Sequence, residues 1–156
     1  MLGKATKLTV RTIFQIYNAG NSILAIDYLD GNVSYKIGRL FKQAEAIVKE
    51  ATRARELNNK NYLKDLKTAK EEEKVGLLEL LNDKNRAIED NEEDIGIPEI
   101  KLSELICEKD FKTVVKITGQ DNKEYSEVKE FRKGQTLVPQ MFFNLMGELI
   151  IDNQNN

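Results

Sequence analysis

Several residue types that support common protein chemistries are scarce in this chain. Its 156 residues include no histidine, no tryptophan, two prolines and one cysteine, Cys107. One cysteine cannot form an intramolecular disulfide, and without histidine the usual Cys and His ligand sets for structural zinc are unavailable. Cys107 also lacks the histidine base of a cysteine nucleophile, so the sequence predicts a partly buried structural thiol.

Long apolar runs are also missing. The longest runs are far shorter than the ~20 residues that a membrane-spanning helix needs. The opening segment MLGKATKLTV has neither the apolar region nor the small-residue cleavage site of a signal peptide. These absences predict an intracellular protein with no membrane partner. With 40% hydrophobic and 32% charged residues, the chain can bury one modest core, which predicts a single elongated domain over residues 1–156.

The net charge of −2 hides an uneven distribution along the chain. Residues 1–60 hold ten basic and five acidic residues, residues 61–110 hold eight and fifteen, and the remainder holds six of each. A basic end can attract an anionic partner, whereas two long helices can carry complementary solvated faces. The second interpretation is favoured, because most charge runs are solvated surface.

Apolar residues at steps of three and four predict a first helix. Thr9 is the expected N-cap, with Leu8 and Ile13 placed as a hydrophobic staple. Gly20 interrupts the pattern. The stripe consists of Val10, Ile13, Phe14, Ile16, Tyr17, Ile23 and Leu24.

A second, longer helix is predicted after the turn at Asp30 and Gly31, with Asn32 or Ser34 as its cap. Its seam approximates a coiled-coil repeat. The pattern thins across LNNKNYLKD, which predicts a bend or connection near residues 58–68. A third helix then returns antiparallel to the second, giving a helical hairpin over residues 33–92. The predicted seam consists of Val33, Ile37, Phe41, Ala44, Val48 and Ala51, and it resumes with Val75, Leu78, Leu81 and Ile88.

The helical pattern ends at Gly96 and Pro98, where IGIPEIKL predicts a short edge strand. Further on, TVVKIT followed by GQDN predicts the start of a β-hairpin, although the next run, with apolar residues three apart, fits a strand less well. A C-terminal helix with a broad apolar stripe is predicted over residues 136–152, with Pro139 in its first turn.

The predicted fold class is therefore mainly α with a small β element. It comprises an antiparallel, coiled-coil-like helical hairpin, a short strand, a β-hairpin and a C-terminal apolar helix. The helical region spans residues 1–94, and the strand and hairpin span residues 95–135.

Five segments occur in a characteristic order along most of the chain: LTVRTIFQIYNA, VSYKIGRLFKQAEAIVKEA, LLELLN, IPEIKLSEL, and a proline followed by a short apolar helix. In this arrangement the chain resembles a family of small bacteriophage proteins from the virion morphogenesis region of tailed phages, often near tail genes. The resemblance implies a role in virion structure or assembly in the host cell cytoplasm, or in the virion itself. The chain departs from the family pattern between residues 108 and 135, where a hairpin-like insertion replaces a short link.

No catalytic constellation or cofactor motif is present, so we predict a non-enzymatic protein without cofactor or metal. The acidic run EDNEED at residues 89–94 lacks the glycine and the spacing of a calcium loop, which favours a solvated helix end. The expected partners are other phage proteins, with self-association as a further option. The predicted partner-binding residues belong to the C-terminal helix, whose alternative role is to complete the core against residues 10–24. They are Met141, Phe142, Phe143, Leu145, Met146 and Leu149.

The alternative function is nucleic-acid binding or host modulation through a basic face of the second helix. Glu45 and Glu50 dilute this face, and the whole chain is acidic, so nucleic acid is the less favoured partner. The residues of this face are Lys36, Arg39, Lys42, Lys49 and Arg53.

Overall fold

The computed structural model describes residues 4–23 and 29–154, and these residues form four α-helices and two separate antiparallel pairs of strands. The helices are α1 (Val10–Ile23), α2 (Gly31–Leu66), α3 (Glu71–Asp90) and α4 (Gln140–Gln154). The strands are β1 (Lys4–Thr9), β2 (Glu92–Ile97), β3 (Phe111–Thr118) and β4 (Glu124–Phe131), and a 3-10 helix spans Leu102–Leu105. The predicted class, mainly α with a small β element, is confirmed.

The start of α1 agrees with its capping signal. The Thr9 hydroxyl accepts a hydrogen bond from the backbone N–H of Thr12, at an N–O distance of 3.3 Å. This bond satisfies one of the amides that lack a partner in the first turn of a helix. Ile13 and Ile16 are completely buried below it, as the apolar stripe predicts. Leu24, the last residue of the predicted stripe, lies outside the described residues.

The predicted helical hairpin is formed by α2 and α3. The cap of α2 is Asp30, whose carboxylate accepts a hydrogen bond from the Asn32 N–H at 2.9 Å, so neither Asn32 nor Ser34 has this role. All six predicted seam residues from Val33 to Ala51 are buried. The register of the second helix was therefore correctly predicted.

The connection between the two long helices lies at the late end of the predicted range. Helix α2 continues to Leu66, and residues 67–70 connect it to α3. One of the asparagines that lower helix propensity gains a tertiary contact here, because Asn58 donates a side-chain hydrogen bond across the seam to Asn85, at 3.1 Å. Tertiary contacts of this kind commonly override weak local preferences.

Strand β1 was not predicted, and it is the partner of the predicted strand. Lys4–Thr9 pair antiparallel with β2, so that Thr6 lies opposite Ile95 and Leu8 lies opposite Glu93. Part of the acidic run, Glu92–Asp94, is thus in a strand, which corrects its assignment to a helix end. An isolated edge strand leaves its backbone polar groups unpaired, and β1 supplies their partners.

One side chain fastens the β1–β2 sheet to the helical hairpin. The Gln43 amide of α2 donates to the Gly96 carbonyl at 3.3 Å and accepts from the Gly96 N–H at 2.8 Å. Nearby, the Lys36 ammonium donates to the Glu99 carbonyl at 2.8 Å. Polar backbone groups of β2 and the segment after it are therefore satisfied by α2.

Strands β3 and β4 form a regular hairpin, including the run that fitted a strand poorly. Val114 lies opposite Val128, and Ile117 lies opposite Tyr125. The apolar residues of β4 do not alternate cleanly because nearly the whole strand is exposed, and only Phe131 is buried. A strand with two solvated faces is under little pressure to alternate.

The core lies where α1, the first half of α2, β2 and α4 meet. Its largest completely buried side chains include Ile13, Ile37, Leu40 and Phe142. The rings of Phe41 and Phe142 pack at a centroid distance of 5.6 Å with a tilt of 52°. Helices distant in sequence are thus joined around two phenylalanines.

Gly20 allows α1 to approach α2 closely, and this contact gives a prediction. A Cβ atom at Gly20 would lie 2.5 Å from ring atoms of Phe41, so Gly20→Ala must displace a packed ring. We expect Gly20→Ala to lower the free energy of unfolding by about 1–2 kcal/mol in chemical denaturation, because overpacking outweighs the gain in helix propensity.

Gly38 provides the matched control for that substitution. It lies within α2, and a Cβ atom there has no neighbour within 4 Å. Gly38→Ala is expected to raise the free energy of unfolding by about 0.5–1 kcal/mol, since alanine costs less conformational entropy in a helix. Equal effects of the two substitutions would contradict the close approach of α1 and α2.

Candidate functional site

The predicted partner-binding residues of the C-terminal helix divide between the core and the surface. Phe142, Met146 and Leu149 are buried in the core cluster, while Phe143 and Leu145 are partly buried against it. Among the six, Met141 is the one that is largely exposed. As α4 lies in this structure, its main apolar face completes the core, which is the alternative role considered for it.

The predicted basic face of α2 is largely present. Arg39, Lys42, Lys49 and Arg53 are all exposed. Lys36 is less available to bind a ligand, because its ammonium donates a hydrogen bond to the backbone carbonyl of Glu99. The charge of Lys49 is partly offset by Glu45, whose carboxylate lies 3.1 Å from the Lys49 nitrogen.

The basic face is longer than the sequence predicted, because α2 does not break at residue 58. Lys60, Lys64 and Lys67 follow Arg53 at steps of seven, four and three, and they are exposed. These steps keep them on the same side of the helix. From Arg39 to Lys67 the face extends about 42 Å at 1.5 Å per residue.

The distal part of the helical hairpin projects from the core. The last buried residue of α2 is Ala51, and none of the α3 residues is buried. We call the segment formed by residues 52–85 the arm. Its seam is only partly shielded and contains Tyr62 and Leu66 of α2 together with Leu77 and Leu81 of α3. The Asn58–Asn85 hydrogen bond crosses this seam and fixes the register of the two helices.

The arm also carries large apolar side chains outside its seam. An exposed apolar cluster on a small protein commonly marks a binding surface, whereas single exposed leucines are ordinary. These exposed side chains are Leu57, Leu63, Val75, Leu78 and Leu80. The prediction that Val75 and Leu78 belong to the seam was therefore wrong, and Leu77 lies there with Leu81 instead.

Ion pairs fix the root of the arm to α1. The Arg11 guanidinium lies 2.9 Å from Asp90 and 3.4 Å from Glu89, while Arg55 lies 3.7 Å from Glu89. The hydrogen bond and charge of Asp90, followed by those of Glu89, raise the pKa of Arg11. Exposed pairs contribute little to stability, so this network adds only modestly to the attachment of the arm.

The β3–β4 hairpin is the second projection. Val114 and Val128 form an exposed cross-strand pair on one face, and Ile117 and Tyr125 are exposed on the other. At the base of the hairpin, the rings of Phe111 and Phe131 stack at a centroid distance of 5.1 Å. Isolated two-stranded hairpins are marginally stable in water, so a hairpin exposed on both faces depends on its base and turn.

The turn of this hairpin contains a hydrogen bond between side chains. The Tyr125 hydroxyl donates to the Asp121 carboxylate, which also accepts from the Lys123 N–H at 3.1 Å. The bond from Tyr125, and then the one from Lys123, hold the pKa of Asp121 below its ordinary value of 3.8. The same carboxylate raises the pKa of Tyr125 above 10.0. Asn122 has the positive φ of 59° that asparagine tolerates in turns.

This arrangement predicts an acid-sensitive turn. Because the folded pKa of Asp121 is lowered, its stabilising effect is present above the unfolded pKa and is lost as pH falls through the folded pKa. We expect an NMR titration to report loosening of the turn in that range. Tyr125→Phe should move the pKa of Asp121 back towards 3.8, and an unchanged pKa in this variant would contradict the hydrogen bond.

The single cysteine and the acidic side chains are the other candidates for a chemical or metal site. Cys107 is 3% exposed, which is more complete burial than predicted, and its thiol donates to the Lys109 carbonyl at 2.8 Å. Within residues 4–23 and 29–154, no group of three or more carboxylate or thiol side chains is arranged to hold a metal ion. In the same ranges, no helix has the length and apolarity to cross a bilayer.

Known proteins offer no independent guide to these surfaces. The chain matches no family model, no curated protein and no solved structure. The geometry of the arm, the basic face and the β3–β4 hairpin is therefore the main basis for a functional proposal.

Proposed function

We propose that this chain is a non-enzymatic bacteriophage protein that acts in virion structure or assembly, in head or tail morphogenesis, by binding other phage proteins. The observation that supports binding is the set of large apolar side chains on the arm. They are exposed to solvent and do not belong to the core. The assignment to phages rests on the resemblance of segment order, from LTVRTIFQIYNA to the final apolar helix.

The two projections have different weight in this proposal. The arm belongs to the part of the chain that resembles the phage family, so we assign to it the role in virion structure or assembly that the resemblance implies. The β3–β4 hairpin falls within residues 108–135, where the chain departs from the family pattern. Its exposed Val114–Val128 pair is suited to a contact specific to this protein.

The partner surface that we propose differs from the one that the sequence indicated. Phe142, Met146 and Leu149 would have to leave the core to bind a partner, which would expose several large apolar side chains at once. The exposed side chains of the arm require no such rearrangement. We therefore propose the arm, rather than α4, as the main partner-binding element.

Mass spectrometry of purified virions tests this proposal. A virion component should be recovered at fixed stoichiometry with head or tail proteins, whereas an assembly factor should be absent from particles but bound to head or tail precursors in infected cells. Deletion of the gene should give defective particles in both cases. Normal particles after deletion, together with no association with particles or precursors, would refute the proposal.

A second candidate function is nucleic-acid binding or host modulation through the basic face of α2. The observation that favours it is the extension of this face by Lys60, Lys64 and Lys67. Against it, residues 71–90 of α3 hold seven acidic and three basic residues, and they run alongside the distal half of α2. Negative charge close to a basic face weakens its attraction for phosphate groups.

Fluorescence anisotropy with duplex and single-stranded DNA measures the affinity of the chain for nucleic acid. At physiological salt we expect dissociation constants weaker than about 10 µM, which is within ordinary non-specific affinity. Tighter, strongly salt-dependent binding that is lost when Lys42, Lys49 and Arg53 are changed to Glu would favour the second function. Changing Lys36 to Glu is the matched control, because its ammonium is already bound to Glu99.

A further inference from the structure

The exposed apolar side chains of the arm are concentrated on one of its two broad sides. On α3, Val75 and Leu78 are three residues apart, as are Leu63 and Leu66 on α2, so each pair occupies one side of its helix. Leu63, Val75 and Leu78 are 59%, 66% and 46% exposed, and Leu66 is half-buried between the helices. We call these four residues the arm patch.

The opposite side of the arm has a different character. A shallow groove there is lined by Asn61 and Asp65 of α2 and by Leu80 and Lys84 of α3. Leu80 follows Leu78 by two residues, which turns it about 160° away around the helix axis at 3.6 residues per turn. The arm thus has one apolar side and one mixed, grooved side.

The four residues of the patch also lie close together along the axis of the arm. The Asn58–Asn85 bond sets the register, so moving eight residues towards the tip on each helix places Leu66 beside Leu77. By the same count, Leu63 lies beside Leu80, and Leu78 lies beside Asp65. The patch is therefore one continuous surface near the tip, made half by α2 and half by α3.

The two helices of the arm have opposite charge. Residues 52–70 contain six basic and two acidic residues, while residues 71–85 contain two basic and five acidic residues. A partner that lays an acidic helix on α2 and a basic helix on α3 would match both. A second copy of this arm meets that requirement when α2 of each copy packs on α3 of the other.

We propose that the chain forms a homodimer through the arm patch, as a four-helix bundle with its two-fold axis along the arm. In this arrangement Leu63 and Leu66 of one copy face Val75 and Leu78 of the other, because the four residues lie within about 8 Å of each other along the arm, at 1.5 Å per residue. The interface is isologous, as expected of a two-fold dimer. This inference names one partner for the surface proposed above, but it does not depend on a phage role.

The dimer is tested by light scattering coupled to size-exclusion chromatography, at about 100 µM of the full chain. The expected mass is twice the monomer mass of 17.9 kDa. Leu63→Glu and Leu78→Glu should each give the monomer, since each places a carboxylate inside an apolar interface. Circular dichroism should show unchanged helix content in both, because these side chains are exposed in the monomer.

The matched controls are Leu57→Glu and Leu80→Glu, which alter residues that are 57% and 50% exposed outside the patch. Both should remain dimeric. A monomeric parent chain, a dimer that survives Leu78→Glu, or controls that dissociate equally would each overturn the proposed interface. A parent dimer with monomeric patch variants and dimeric controls supports it.

The orientation of the arms is a separate expectation. A nitroxide label at an Arg53→Cys variant lies at the root of the arm, and the native Cys107 is buried. With parallel arms the two labels should be less than about 30 Å apart, whereas tip-to-tip antiparallel arms would separate them by about 40 Å, at 1.5 Å per helical residue. The longer distance in a dimer would overturn the charge-matched arrangement.

Discussion

Ending the chain after Gly134 is expected to abolish cooperative unfolding. The truncation removes four residues of the core: Val138, Phe142, Met146 and Leu149. It also removes the backbone pairing of Gln135 and Leu137 with Cys107 and Leu105. Removing a single large core side chain costs about 2–5 kcal/mol, whereas a domain of this size has a total stability of only about 5–15 kcal/mol. The remaining chain should aggregate or melt without a sharp transition.

Point substitutions in α4 separate this effect from the loss of chain length. Phe142→Ala should lower the free energy of unfolding by about 3–5 kcal/mol. Met141→Ala, its exposed neighbour, should change it by less than about 0.5 kcal/mol. If the truncated chain instead stayed soluble and cooperatively folded, α4 would be dispensable to the core and available as a binding element.

Replacing Phe41 with alanine is expected to lower the free energy of unfolding by about 3 kcal/mol. Phe41 is 5% exposed, contacts the ring of Phe142 and fills the space next to Gly20. Its loss leaves a cavity where α1, α2 and α4 meet. For a domain of this length, the melting temperature should fall by about 6–12 °C.

The control for Phe41→Ala is Tyr35→Ala, because Tyr35 is an exposed aromatic residue of the same helix. Tyr35→Ala should leave the melting temperature within a degree or two. A similarly small effect of Phe41→Ala would mean that the register of α2 is wrong.

A double substitution tests the contact between α1 and α2 directly. Gly20→Ala is destabilising because of the Phe41 ring, so it should cost much less in a Phe41→Ala background, where the ring is absent. Residues in direct contact commonly show such non-additive effects. Additive losses would place the cost of Gly20→Ala elsewhere in α1.

The sequence by itself determined the elements whose signals are local. Apolar spacings of three and four identified α1 and the register of α2, because side chains at those spacings share one face of a helix. Thr9 marked the start of α1, since its hydroxyl serves amides only three residues away. GQDN marked the turn of the β3–β4 hairpin, where Asp121 accepts from the Lys123 N–H.

The tertiary structure decided what depends on residues far apart in the chain. Strand β1 carries little signal of its own and exists as a strand because β2, about ninety residues later, pairs with it. Helix α2 continues past residue 58, where Asn58 donates a hydrogen bond to Asn85 of the partner helix across the seam. The apolar stripe of α4 fits both a binding surface and a core. Phe142 is buried because α4 packs against Phe41 of α2, a contact that the sequence does not show. Non-local partners have no fixed spacing in the sequence, so periodicity and capping signals cannot report them.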